Sequence, residues 1–116
     1  MSRLLPHLLL VTALWLALGW GVQPARAADL ATFEVVARDG RLFPEKLEVP
    51  AGVKIKLSLK NESAAAVEFE SQELRIEKVL APNAASFVVI HPLKPGTYQF
   101  VDEFRPATGK MQVIAK

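Results

Sequence analysis

The sequence predicts an all-β protein, a two-sheet sandwich of seven to eight short strands, and two observations predict it. The stretch "VKIKLSLK" (residues 53–60) alternates apolar and polar side chains at every position, which is the period of a strand with one buried face. Short apolar stretches then recur between turn signals made of Pro, Gly and Asn. Together these patterns favour a two-sheet antiparallel sandwich.

The predicted strands follow in the order of these stretches. The first is "TFEVVAR", the second lies within "FPEKLEVPAG", and the third is the alternating segment, with Val53 on its buried face. Five more follow the Asn-Glu-Ser turn: "AVEFE", "LRIEKV", "ASFVVIHP", "TYQFV" and "KMQVIA". We expect Asn83 to adopt a left-handed turn conformation and the Tyr98 hydroxyl to fasten a corner. Most of the six Phe are expected in the core, with Phe104 exposed in a loop.

Residues 1–27 predict an export signal. Arg3 supplies a positive start, "LLLVTALWLAL" an apolar segment, and "ARA" a cleavage site before Ala28. A membrane anchor needs about 20 apolar residues, and two Gly and one Pro interrupt this run. We therefore expect a signal helix that is removed on secretion, one mature domain at residues 28–116 in the periplasm, and no membrane association after cleavage.

Charge and cysteine content exclude several classes of function. The whole chain has a net charge of +2, but residues 28–116 carry 12 basic and 12 acidic residues, so we expect no nucleic-acid partner. The chain has no Cys, which excludes a disulfide, a lipid anchor on Cys and a thiolate metal ligand. No nucleophile with a neighbouring base is visible, and we expect no enzyme.

Two segments resemble the cupredoxin family. They are "LFPEKLEVPAGVKIKLSLKN" (residues 42–61) and "GTYQFVDEFRPATGKM" (residues 96–111). In the second, Asp102 stands in the position of the copper-binding Cys, Arg105 in that of the His and Lys110 in that of the Met. The pair "VEFESQELRIEK" and "VDEFRPATGK" is similar to ligand-poor cupredoxin-like proteins of bacterial iron-transport operons, which usually have His in place of Arg105. The resemblance implies the cupredoxin-like Greek-key fold.

The chain lacks the ligands of a blue-copper site. Such a site needs a thiolate and two imidazoles, whereas this sequence has no Cys and only His7 and His91. His7 lies in the predicted signal and His91 at a strand end. We expect no type 1 copper and no blue-copper electron transfer.

Carboxylates are the candidate metal ligands. The resemblance implies that two segments lie side by side. One follows the Asn-ended strand and has Val67 or Glu68 in the first-His position, and the other is the loop between the last two strands. These segments carry Glu68, Glu70, Asp102 and Glu103. Carboxylate oxygens suit a hard or borderline cation such as Fe, Mn or Cu(II).

Two alternatives stay open for this group. Glu73 and Glu77 follow closely and could add to it. Arg105 could instead pair with Asp102, Glu103 or Glu68 and fill the position with ion pairs.

Two functions are consistent with these patterns. One is a periplasmic accessory of metal uptake, above all iron, that binds or passes a cation weakly; the resemblance implies components of a membrane iron-permease system, or another periplasmic protein, as partners. The other is a metal-free module that docks a partner through the loop at residues 102–109, with Phe104 and Arg105 as its contact residues.

Overall fold

The computed structural model describes residues 30–116, and this part of the chain contains strands and no helix. The strands, in chain order, are β1 (Thr32–Arg38), β2 (Arg41–Phe43), β3 (Lys46–Val49), β4 (Ile55–Asn61), β5 (Val67–Ser71), β6 (Ile76–Leu80), β7 (Ala85–Ile90), β8 (Gly96–Asp102) and β9 (Lys110–Ala115). Residues 30–116 therefore contain no helix that could cross a membrane. The signal helix predicted at residues 1–27 lies outside the described residues.

The nine strands form two sheets, which confirms the predicted all-β sandwich. One sheet has four strands in the order β2-β1-β4-β7, and the other has five in the order β3-β9-β8-β5-β6. The additional strand is β2, whose three residues are too few to show a strand period. The expectation of purely antiparallel pairing is wrong, because β1 runs parallel to β4 and β3 parallel to β9. Side-chain alternation is the same in both directions and cannot distinguish them.

The core lies between the two sheets. In β4, the side chains of Ile55, Leu57 and Leu59 are buried, as the alternation predicts. Phe69 of β5 stacks on Phe100 of β8 with ring centroids 4.7 Å apart. The apolar interior is therefore built from the inward faces of both sheets.

Two predicted core positions are wrong. Val53 is 49% exposed because it precedes β4 and does not share the face of that strand. Phe87 is 50% exposed on the outer face of the four-stranded sheet, where the Lys56 ammonium lies 4.5 Å from its ring centroid. That cation–π contact covers part of the ring without burying it.

The predicted turns agree with the structure. Asn83 has a φ of 62°, in the left-handed region that Asn tolerates. The Tyr98 hydroxyl donates a hydrogen bond to the carbonyl of Lys94 at 2.7 Å, which fastens the corner between β7 and β8.

Three loops meet at one end of the sandwich: the β1–β2 turn, the loop at residues 61–66 and the loop at residues 102–109. The Glu62 N–H donates to the Ala37 carbonyl at 2.8 Å, and the Thr108 hydroxyl donates to the Gly40 carbonyl at 2.6 Å. These bonds fix the loops against one another. The candidate site lies at this end.

Candidate functional site

Asp102 ends β8 and is buried, with its side chain only 3% exposed. It lies opposite Phe69 in the β5–β8 pairing and so faces inward. Its Oδ1 accepts hydrogen bonds from the backbone N–H of Glu68 at 3.1 Å and of Phe104 at 3.0 Å. Its Oδ2 lies 3.6 Å from Nη1 of Arg105. Both oxygens of this buried carboxylate therefore have partners, as burial requires.

Arg105 joins two loops at this end. Besides its ion pair with Asp102, its Nη1 donates to the carbonyl of Ala66 at 3.2 Å. Three acids were candidates for an ion pair with Arg105. Within residues 30–116, Asp102 forms that pair, and Glu68 and Glu103 do not. Arg105 thus holds the 102–109 loop against the 61–66 loop.

Gly109 allows this loop to fold tightly. Its N–H donates to the Arg105 carbonyl at 2.9 Å, and its carbonyl accepts from the Asp102 N–H at 2.8 Å. A Cβ added at Gly109 would lie 2.7 Å from the Asp102 Cβ. Glycine is therefore required at position 109, because the backbone lies too close to Asp102 to leave room for a Cβ.

The other predicted ligands lie elsewhere, on the outer face of the five-stranded sheet. Glu70 of β5 is directly opposite Glu77 of β6, and the Glu103 N–H donates to the Glu68 carbonyl at 2.9 Å. We call Glu68, Glu70, Glu77 and Glu103 the acidic face. The structure brings these four together and separates Asp102 from them, because residues 102 and 103 point to opposite sides of the sheet.

Two carboxyls of this face, Glu68 and Glu70, have raised pKa values. A hydrogen bond with the Glu77 carboxyl, followed by burial and by repulsion from Glu77, Glu70 and Glu103, raises the pKa of Glu68 from 4.5 to about 7. Burial, then the charge and hydrogen bond of Glu103, then the charge of Glu77, raise the pKa of Glu70. With a pKa of about 7, Glu68 is therefore partly protonated at neutral pH.

A groove of about 540 Å³ borders the acidic face. It is lined by Glu70, Gln72, Glu73, Gln99, Val101 and Glu103. Glu73 lies there with its Oε1 accepting from the Gln99 N–H at 3.0 Å, and so is not part of the acidic face. Across residues 30–116, no three or more His, Asp and Glu side chains have an arrangement that could already hold a metal ion. The acidic face is thus an open surface and not a preformed cage.

A second, smaller cavity of about 130 Å³ lies between the three loops, and we call it the end cleft. It is lined by Ala37, Arg38, Gly40, Arg41, Ser63, Ala64, Ala65, Val67, Asp102 and Arg105. Val67 is buried and lines the cleft together with Asp102 and Arg105, whereas Glu68 points outward. Of the two alternatives for the first-His position, the structure therefore favours Val67.

The remaining candidates lie apart from both cavities. Phe104 is 50% exposed in the 102–109 loop, as expected for a contact residue. Lys110 is exposed and Met111 is core. His91 is exposed in the β7–β8 loop, at the opposite end of the sandwich. The sequence patterns did not single out Arg38 or Arg41, because their position depends on the short strand β2.

The chain belongs to the cupredoxin-like domain family, whose sequence pattern matches residues 9–115. It is 30% identical over 86 residues to the uncharacterized protein RP394 of Rickettsia prowazekii (strain Madrid E), covering 74% of this chain and 69% of that protein.

Solved structures of two auracyanins share the fold. Dithionite-reduced auracyanin from Roseiflexus castenholzii superposes with a TM-score of 0.62 at 16% identity, covering 74% of this chain and 97% of that one. Auracyanin A, a "blue" copper protein from Chloroflexus aurantiacus, superposes with a TM-score of 0.58 at 13% identity, covering 74% and 98%. At these identities the likeness establishes the fold alone.

The residues present do not fit type 1 copper. The chain has no Cys, and the end cleft presents the apolar Val67, the cationic Arg105 and an Asp102 whose oxygens are already bonded. A soft thiolate and two imidazoles have no counterparts here.

Proposed function

We propose that the protein is a periplasmic accessory of metal uptake that binds a cation weakly on its acidic face, and that iron is the metal concerned. The observation that carries the proposal is the grouping of four carboxyls. A hydrogen bond with Glu77, burial, and repulsion from Glu77, Glu70 and Glu103 raise the pKa of Glu68 to about 7. A cation that neutralises these charges would relieve that repulsion. The motif resemblance to proteins of iron-transport operons supports iron and supports export.

The chemistry of the face also predicts weak binding. Carboxylate oxygens suit hard cations, and Fe³⁺ and Mn²⁺ are such ions. A cation must displace the proton that Glu68 holds near neutral pH. The ligands lie on an open strand surface, so no rigid geometry is fixed in advance. Such a site suits transfer of a cation better than its storage.

Isothermal titration of the purified protein with Mn²⁺, and with Fe²⁺ without oxygen, tests the proposal. We expect saturable binding that strengthens as pH rises and weakens at least about tenfold in Glu68→Gln/Glu70→Gln, since each carboxylate contributes charge and a ligand oxygen. Glu34→Gln is the matched control, because Glu34 is exposed on the other sheet. Equal affinities in all three proteins, or no binding at any pH, would contradict the proposal.

The second candidate is a docking module, favoured by the fixed position of an exposed aromatic ring. Phe104 is half-exposed while its N–H is bonded to Asp102 at 3.0 Å, so the 102–109 loop presents the ring from a rigid base. A photo-crosslinker at position 104 should then capture one defined periplasmic or permease partner, whereas the same group at Thr97, exposed near the opposite end of β8, should not. Identical crosslinking from both positions would exclude the loop as the docking site.

A further inference from the structure

The end cleft carries an excess of positive charge. Among the residues that line it, Arg38, Arg41 and Arg105 are cationic and Asp102 is the one anion. The Asp102 oxygens are already occupied by two backbone N–H groups and Arg105. Two of the three guanidinium charges are therefore not balanced by any residue of the lining.

The acids next to Arg38 and Arg41 compensate these charges poorly. Nη1 of Arg38 lies 3.9 Å from Oε2 of Glu62, and Nη1 of Arg41 lies 3.6 Å from Oε1 of Glu45. Charge-assisted N–H···O bonds are much shorter, about 2.7–2.9 Å, and exposed pairs at such distances contribute little. Each guanidinium has five N–H donors, so most of them remain free to bind a ligand.

The fold holds these cations around one small volume. Arg38 and Arg41 are directly opposite each other across the β1–β2 turn. The Arg38 guanidinium also lies 4.8 Å from the centroid of the Phe43 ring, which restrains it. On the facing loop, Cδ of Arg105 is 3.5 Å from the position that a Cβ of Gly40 would occupy. Ser63 of the third loop also lines the cleft, but its hydroxyl already donates to Asn61 Oδ1 at 2.6 Å.

We propose that the end cleft binds one small tetrahedral oxyanion, such as phosphate or sulfate, with Arg38 and Arg41 as its principal ligands. The cleft has a volume of about 130 Å³, which is more than one bound water needs, since a water takes up roughly 10–15 Å³ of such space. That space suits the tetrahedral group of one small anion. Planar guanidinium groups bind phosphate oxygens in pairs, which makes Arg the preferred residue for such recognition.

This anion site is independent of the proposed cation site. Its residues belong to the loops at the end of the sandwich, whereas the acidic face lies on the outer side of the five-stranded sheet. Cation binding and anion binding can therefore fail separately. The same chemistry could come from a free anion or from the terminal phosphate of a larger molecule, and the probes must distinguish these sources.

Titration of the whole purified protein at low ionic strength with inorganic phosphate, sulfate and glycerol 3-phosphate is the test. We expect saturable binding of phosphate and sulfate that weakens with added salt. If glycerol 3-phosphate binds as tightly as phosphate, a terminal phosphate group is sufficient for recognition. If glycerol 3-phosphate does not bind, the ligand is a free anion. Both results support the site. Non-saturable binding of all three probes would overturn it.

Matched variants locate the site. Arg38→Gln and Arg41→Gln should each weaken phosphate binding about tenfold, which is the usual consequence of losing one charged hydrogen-bond donor. Lys94→Gln removes the same charge at the opposite end of the sandwich and should change nothing. Thermal melts without phosphate should be alike for all variants, because these side chains are about half exposed. Equal weakening in Lys94→Gln would mean that phosphate responds only to net charge.

Discussion

The acidic face and the end cleft show two outcomes for carboxylates that are neighbours in sequence. Glu103 lies among three other glutamates. A hydrogen bond with Glu77, burial and repulsion raise the pKa of Glu68, and burial together with the charges of Glu103 and Glu77 raises the pKa of Glu70. Asp102, one residue earlier, has two backbone N–H groups and Arg105 as partners. The difference shows that the side of the sheet on which an acid lies, and not its distance along the chain from other acids, decides whether its charge is compensated by hydrogen-bond donors and a cation.

The largest expected effect comes from removing the buried carboxylate. Asp102→Ala leaves the N–H groups of Glu68 and Phe104 without their acceptor and should lower the free energy of unfolding by about 3 kcal/mol. Chemical denaturation measures this. Asp102→Asn keeps an acceptor oxygen and the shape, and should lose only about 1 kcal/mol, since Arg105 is 38% exposed. If both variants were as stable as the parent, Asp102 would not organise the end cleft.

The next effect tests the tight loop beneath the cleft. Gly109→Ala forces a Cβ to within 2.7 Å of the Asp102 Cβ and should destabilise the protein by about 2 kcal/mol. Gly52→Ala is the comparison, because its Cβ would meet nothing within 4 Å while its φ is +78°. It should lose only about 1 kcal/mol, from backbone conformation alone. A smaller loss at Gly109 than at Gly52 would show that the loop relaxes easily.

The acidic face predicts a dependence of stability on pH. Because the pKa of Glu68 rises from 4.5 to about 7 on folding, the folded state binds more protons than the unfolded state between these values. The free energy of unfolding should therefore decrease as pH rises through this window. Glu77→Gln removes the main neighbour of Glu68 and should flatten the decrease, whereas Glu34→Gln should not. Melts on both sides of the window decide it, and parallel curves for all three proteins would show that the carboxyls do not interact.

The smallest effect concerns the cation of the end cleft. Arg105→His should lose about 1 kcal/mol or less in chelator, because the ion pair with Asp102 is partly exposed. It should gain affinity for Cu(II), since imidazole is a metal ligand and guanidinium is not. Lys110→His adds an imidazole outside the cleft and is the control. Identical melts of both variants with and without Cu(II) would mean that position 105 cannot support a metal.

The sequence predicts much of the fold and part of the site. Alternation correctly puts Glu68 and Glu70 on one face, since both lie within β5. It could not separate Asp102 from Glu103, because both appeared to lie in a loop, whereas β8 continues through Asp102 and its alternation applies there. The addition of Glu77 depends on the register between β5 and β6, which is set by tertiary packing.

The position of β9 within its sheet has a consequence for how the protein forms. Lys110–Ala115 pair with β3 on one side and β8 on the other, and Leu47 is opposite Val113. The inner position of the sheet is therefore filled by a segment that leaves the ribosome after the strands on both sides of it. Contacts so distant along the chain form slowly, and until then β3 and β8 expose unpaired edges. A chaperone or an export pathway would have that interval in which to act on an unfolded chain.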